Sequence, residues 1–189
     1  MATEKVADIP VDEAALVEHL RDPKRARKAF DTMMRLYGER IYWHIRKMVP
    51  VHDDAVDLLQ NVFIKAWNSL DRFRGDAKLS TWLYKIAVNE TINFLNKERQ
   101  RNNLTEGDTD DEFLMRNLES DSYFDGDELQ KELQKAIMQL PEKQRLVFNM
   151  RYYDEMKYEE MSEILGTSVG ALKASYHHAV KKITAAITK

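Results

Sequence analysis

Apolar residues recur every three to four positions along most of this chain, and the alternation expected of strands is nowhere sustained. Asp22-Pro23 supplies an N-cap with proline at the first helical position. Beyond it, Phe30, Met33, Met34, Tyr37, Ile41, Ile45 and Met48 predict a long helix, relaxed at Gly38 and ended by Pro50. Asp53-Asp54 opens the next helix, which runs to about Leu70. The segment DRFRGDAK is a loop, and Ser80 caps a third helix to about Arg101. An acidic, weakly periodic stretch follows. It reads as a linker with a short helical piece around Glu112–Leu118. Helix returns at Asp127 and is broken by Pro141. Three helices then run to Lys182, the last two separated by Gly166-Thr167-Ser168, a turn followed by an N-cap. That is a helix-turn-helix, which sets one helix into a DNA groove and also occurs as plain packing in bundles. The expected fold is all-α: two small helical domains, 22–102 and 127–189, joined by an acidic flexible linker, 103–126, after an N-terminal segment, 1–21.

At about 100° per residue, each amphipathic helix divides into a core face and a wet face. The second helix buries Ala55, Val56, Leu59, Val62, Phe63, Ala66, Trp67 and Leu70. Its opposite face carries Asp57, Gln60, Asn61, Lys65 and Asn68, with Ile64 among them. An isoleucine ringed by polar residues fits a small interface centre with a hydrated rim, and equally a scattered surface apolar residue. The third helix buries Leu83, Tyr84, Ala87, Val88, Thr91, Ile92, Phe94 and Leu95. Trp82, Lys85, Asn89, Asn93, Asn96 and Lys97 lie opposite. Amides bond base edges, lysine pairs with phosphate and an indole stacks on an unpaired base. The bland alternative is a solvated face with Trp82 packed on a neighbour. The last helix buries Leu172, Tyr176, Ala179, Val180, Ile183 and Ile187, and exposes small residues and lysines suited to close approach and phosphate contact.

Charge changes the picture through its segregation. Residues 21–103 carry a net +7, residues 104–140 a net −8 and residues 141–189 a net +2, within a chain of net −3. Two basic blocks tolerate polyphosphate, and the acidic block between them repels it. The absence of cysteine excludes disulfides and thiolate zinc sites, and suits a cytoplasmic protein. No stretch approaches a membrane span. His19, His44, His52, His177 and His178 show no ligand spacing, and no phosphate-cradling loop or activated nucleophile is evident, so neither a metal nor a cofactor is expected.

Two motif blocks in order carry a family resemblance. DAVDLLQNVFIKAWNSLDRFRGDAKLSTWLYKIAVN resembles the second conserved region of extracytoplasmic-function sigma factors, the small promoter-recognition subunits of bacterial RNA polymerase. LPEKQRLVF…YEEMSEILGTSVGALK resembles their fourth. The resemblance implies that Asp57, Gln60, Asn61 and Ile64 dock on the clamp helices of core RNA polymerase. Asn61 stands where the family usually has glutamate. It implies that the loop with Phe73, Arg74, Gly75 and Asp76, and the helix with Trp82, Lys85, Asn89 and Asn93, read a strand-separated −10 element around a flipped base. Lys85 and Ile86 replace the melting tryptophan pair of primary sigma factors, so a stricter promoter requirement is implied.

The terminal helix is implied to read the −35 duplex through Ser168, Ala171, Lys173, Ala174, Ser175, His177, His178 and Lys182. It offers fewer guanidinium contacts than the family's arginine-rich version, so a different −35 sequence follows. The family further implies a partner anti-sigma factor and no catalytic activity in this chain. The acidic linker fits either an RNA mimic near the transcript exit or a solvated tether with a typical span of about 28 Å. The contrasting reading is a free-standing helix-turn-helix regulator, which has no need of the segment Asp57–Phe63.

Overall fold

The computed structural model describes residues 12–49, 51–73, 75–101 and 128–188. They form helices joined by short turns, and no strand occurs among them. The linker and its expected helical piece at 112–118 lie outside the described residues.

The first helix, α1 (Glu13–Arg21), lies in the N-terminal segment, where the hydrophobic pattern predicts no element. Asp12 caps it by accepting from the Ala14 amide at 3.0 Å. Leu16 and Leu20, one turn apart, are its buried contacts, a signal too short to stand out from the sequence. Asp22 then acts in a turn. Its carbonyl accepts from the Arg25 and Ala26 amides, and its carboxylate accepts from the Lys24 amide. Helix α2 (Ala26–Arg46) therefore starts after Pro23, not on it, and runs unbroken through Gly38. A glycine costs a helix only about 1 kcal/mol, and burial on both sides of it outweighs that.

Helix α3 (His52–Asn68) leads through a 3-10 turn, Leu70–Arg72, and a loop into α4 (Leu79–Arg101). Ser80 is not the cap of α4, because the helix already begins at Leu79. Pro141 ends the next element, α5 (Glu128–Met138), as expected of a residue without an amide hydrogen. Then come α6 (Glu142–Tyr152), α7 (Tyr158–Leu165) and α8 (Val169–Ile187). Gly166, at φ 63°, closes α7, and the Ser168 hydroxyl accepts from the Ala171 amide to open α8.

Two cores result. One joins α1–α4 to the inner sides of α6, α7 and α8 through Met33, Ile41, Ile45, Leu83, Met150 and Met161. The other, with Ile137, Leu140, Phe148, Ala179 and Ile183, belongs to α5, α6 and α8. The two helical groups are thus packed together. Asp154 Oδ2 accepts from His44 Nδ1 at 2.7 Å, and its Oδ1 accepts from Lys47 Nζ at 3.0 Å. Asn149 Nδ2 donates to the Lys47 carbonyl at 3.2 Å, and Arg99 pairs with Glu142. Two expected core residues face water instead. Trp67 is 43% exposed and meets Phe30 in a T-shaped pair, with centroids 4.9 Å apart, and Val180 is 37% exposed on the outer flank of α8.

Candidate nucleic-acid interface

Helix α3 is held by Ala55, Leu58, Val62, Phe63 and Ala66 on its inner side. Asp57, Gln60, Asn61 and Ile64 recur at the spacing that places them on one face, and all four are exposed. Ile64 keeps 57% of its surface in water, so its contact area is free for a partner. The acidic N-terminal turn complements the helix dipole. There, burial, with Glu98 and Asp57 nearby, raises the Asp54 carboxyl above its ordinary value.

Helix α4 is fixed by Leu79, Leu83, Tyr84, Ala87, Val88 and Thr91. Burial pushes the Tyr84 hydroxyl far up, and the nearby Asp154 adds to the shift. Lys85, Asn89 and Asn93 follow one exposed line at intervals of four. Asn89 and Asn93 line a cleft of about 560 Å³ between α3 and α4. Lys65 and Asn68 of α3 share that cleft, with Lys65 paired to Glu90. Sequence reasoning placed these two on the wet face of α3 but not with the α4 amides, because only the crossing of the helices joins them.

Phe73 departs from expectation. Its ring is 7% exposed and lies under Trp82, with centroids 4.8 Å apart and planes at 35°. It supports the half-buried indole and leaves little of its own surface open. Gly75, at φ 80°, and the exposed Asp76 follow it, while Arg74 lies outside the described residues.

On α8, burial of Leu172, Ala179 and Ile183 turns the opposite side outward. Ser168, Ala171, Lys173, Ala174, His177, His178 and Lys182 are exposed, and Ser175 is half-buried. Ala174, His177 and His178 stand almost opposite the core, where Lys181 joins them. Lys173 leans toward α7, its Nζ 5.7 Å from the Tyr158 ring centroid. The two histidine rings lie 6.1 Å apart, and among the described residues no group of three or more His, Asp or Glu is arranged to hold a metal. The three wet faces therefore offer amides, ammonium groups, imidazoles and one indole, the chemistry of base-edge, phosphate and stacking contacts.

Residues 33–101 match the family described as Sigma-70 region 2, and residues 130–183 match Sigma-70, region 4. The chain is 33% identical over 160 residues to the ECF RNA polymerase sigma factor SigW of Bacillus subtilis, covering 79% of this chain and 83% of that protein. It is 31% identical over 178 residues to the ECF RNA polymerase sigma-E factor of Escherichia coli, covering 89% and 90%. Its fold is similar to the sigma factor RpoE of Bartonella quintana, solved with the anti-sigma factor NepR. The TM-score there is 0.66 at 20% identity, covering 85% of this chain and 98% of the other.

Proposed function

Since this chain belongs to the extracytoplasmic-function sigma factors of the sigma-70 family, we propose that its three wet faces divide the labour of promoter-directed initiation. The protein directs transcription initiation by RNA polymerase at promoters. In our reading, Asp57, Gln60, Asn61 and Ile64 dock on core polymerase. Gly75, Asp76, Trp82, Lys85, Asn89 and Asn93 read the −10 element on the separated strand. Ser168, Ala171, Lys173, Ala174, Ser175, His177, His178 and Lys182 read the −35 duplex. Residues 22–102 then act as the first domain, 127–189 as the second and 103–126 as their tether. One observation carries this assignment: both family matches end on helices whose buried sides are fixed by packing and whose polar sides are open.

The mechanism is bivalent. Two modest DNA contacts on one platform raise each other's effective concentration without any new contact. A flipped base costs a few kcal/mol of stacking, which the α3–α4 cleft and the Trp82 face recover. The protein supplies position, and polymerase supplies the chemistry. It works where polymerase works, in the cytoplasm, and among the described residues no helix is long and apolar enough to cross a membrane. An anti-sigma factor is the partner we assign to its resting state, by likeness to the complex of RpoE with NepR.

Run-off transcription on genomic fragments tests the reading. Core polymerase with this protein is expected to start RNA at defined sites, and core alone is not. Tight specific binding of promoter DNA without polymerase, together with no defined start sites in its presence, would overturn it in favour of a free-standing regulator.

A further inference from the structure

We propose that α1 is a brace behind the −10 reading loop, and that Glu13 and Arg21 are positioning residues for promoter recognition. This rests on the assignment of residues 73–78 and α4 to the −10 element. Glu13, Val17 and Arg21 lie at intervals of four along one edge of α1, and Leu16 and Leu20 anchor that helix in the core. The edge is therefore a fixed frame.

The frame grips the loop at both ends. At the far end, the Leu79 amide donates to Glu13 Oε1 at 2.6 Å, across 66 positions of sequence. The chain enters α4 through Lys78, whose carbonyl accepts from the Trp82 amide at 3.0 Å. A lysine side chain has no acceptor, so it leaves the first amides of the helix without a local cap. Glu13 provides that acceptor from another helix, and sets a carboxylate at the positive end of the α4 dipole. At the near end, Arg21 Nη2 donates to the Phe73 carbonyl at 3.3 Å. The loop then passes close over the same guanidinium. A Cβ on Gly75 would stand 3.1 Å from Arg21 Nη2, a tight contact that the guanidinium could relieve by shifting slightly, and the backbone φ of 80° is what calls for glycine at this crossing.

Between the two grips, α1 and residues Gly75–Lys78 border a cleft of about 560 Å³. Two pinned ends fix where the loop stands without filling it, which is preorganisation of a binding element. The Phe73 grip also holds the ring beneath Trp82, so α1 sets the height of the indole on the reading face. Arg21 is exposed, so its contact acts on the local order of the loop more than on global stability, whereas the half-buried Glu13 also bonds the Tyr37 side chain of α2.

Open-complex formation by core polymerase with the full-length protein, on a library of −10 variants, tests the brace. Glu13→Ala and Arg21→Ala are expected to lower it about fivefold or more on the preferred sequence and to flatten discrimination among −10 variants. Affinity for core polymerase is expected to stay within about twofold. Glu13→Gln keeps an acceptor oxygen for the Leu79 amide and is expected to restore most of the discrimination. If Glu13→Ala does not fold, Arg21→Ala, at an exposed helix end, decides the matter alone. Unchanged −10 preference in the folded variants, while Asn89→Ala alters it, overturns the brace and leaves the −10 assignment standing. No change in Asn89→Ala either overturns both. Lost polymerase binding with intact −10 preference also overturns the brace, since α1 would then serve docking.

Discussion

Asn89 and Ile64 are the two residues through which the assigned faces are most directly separable. Asn89 lies on α4 beside the cleft, and its amide has a donor and an acceptor side by side, the geometry that bonds a base edge twice. Asn89→Ala should cost about 1–3 kcal/mol of promoter discrimination. Run-off transcription should fall on cognate promoters while core polymerase affinity, measured by titration, stays unchanged. Loss of polymerase affinity would mean that α4 docks protein. Ile64 is the converse case. A carboxylate in a contact that should become dry leaves a charge buried without a partner. Ile64→Asp should therefore weaken core binding by about 2 kcal/mol or more, with the thermal midpoint unmoved because the residue is exposed. Equal affinity of variant and parent would remove Ile64 from the interface.

The helix-turn-helix depends, as an element, on two positions of special chemistry. Gly166 closes α7 in the left-handed region, and a Cβ there meets nothing within 4 Å. The cost of Gly166→Ala is thus backbone strain alone, about 1 kcal/mol. Ser168→Ala removes the cap of α8 and costs about 1 kcal/mol as well. Urea midpoints of the two variants should shift alike, and a neutral Gly166→Ala would contradict a left-handed turn at Gly166. Farther along α8, Lys182 stands where small residues give way to charge. If it holds a phosphate, Lys182→Ala should weaken binding evenly across −35 sequences and lower the salt slope of the complex by about 1. A change confined to particular sequences would make it a base reader instead.

For the whole molecule, the decisive feature is the seam between the two helical groups. Asp154 is buried there against His44 and Lys47. Burial alone would raise its carboxyl, but the hydrogen bonds and charges of His44 and Lys47 outweigh burial and hold it below its ordinary value of 3.8. A carboxylate depressed in the folded state stabilises fully above its unfolded pKa, and loses that contribution as pH falls through the folded one. The seam should therefore hold at neutral pH and weaken only in acid below about 3.8. Removing one partner of a buried pair costs about 3–5 kcal/mol, because the other charge is left dry. Asp154→Ala should then separate the groups at neutral pH and raise the radius of gyration in small-angle scattering. An unchanged radius would show that the shared apolar core suffices to keep them together.

Local periodicity by itself determined the helical character, the order of the elements from α2 onward and, Trp67 and Val180 apart, which sides of α3, α4 and α8 face the core. A residue every 100° on a helix sorts core from solvent without knowledge of neighbours. Turn chemistry did the same for Gly166-Thr167-Ser168 and for the break at Pro141. Only the tertiary structure decided the rest. Phe73 lies beneath Trp82, Glu13 caps α4 across 66 positions, Lys65 and Asn68 join Asn89 in one cleft, and Asp154 meets His44. Each is a contact between separate elements of the chain. Sequence spacing carries no distance across elements, and packing alone brings them together.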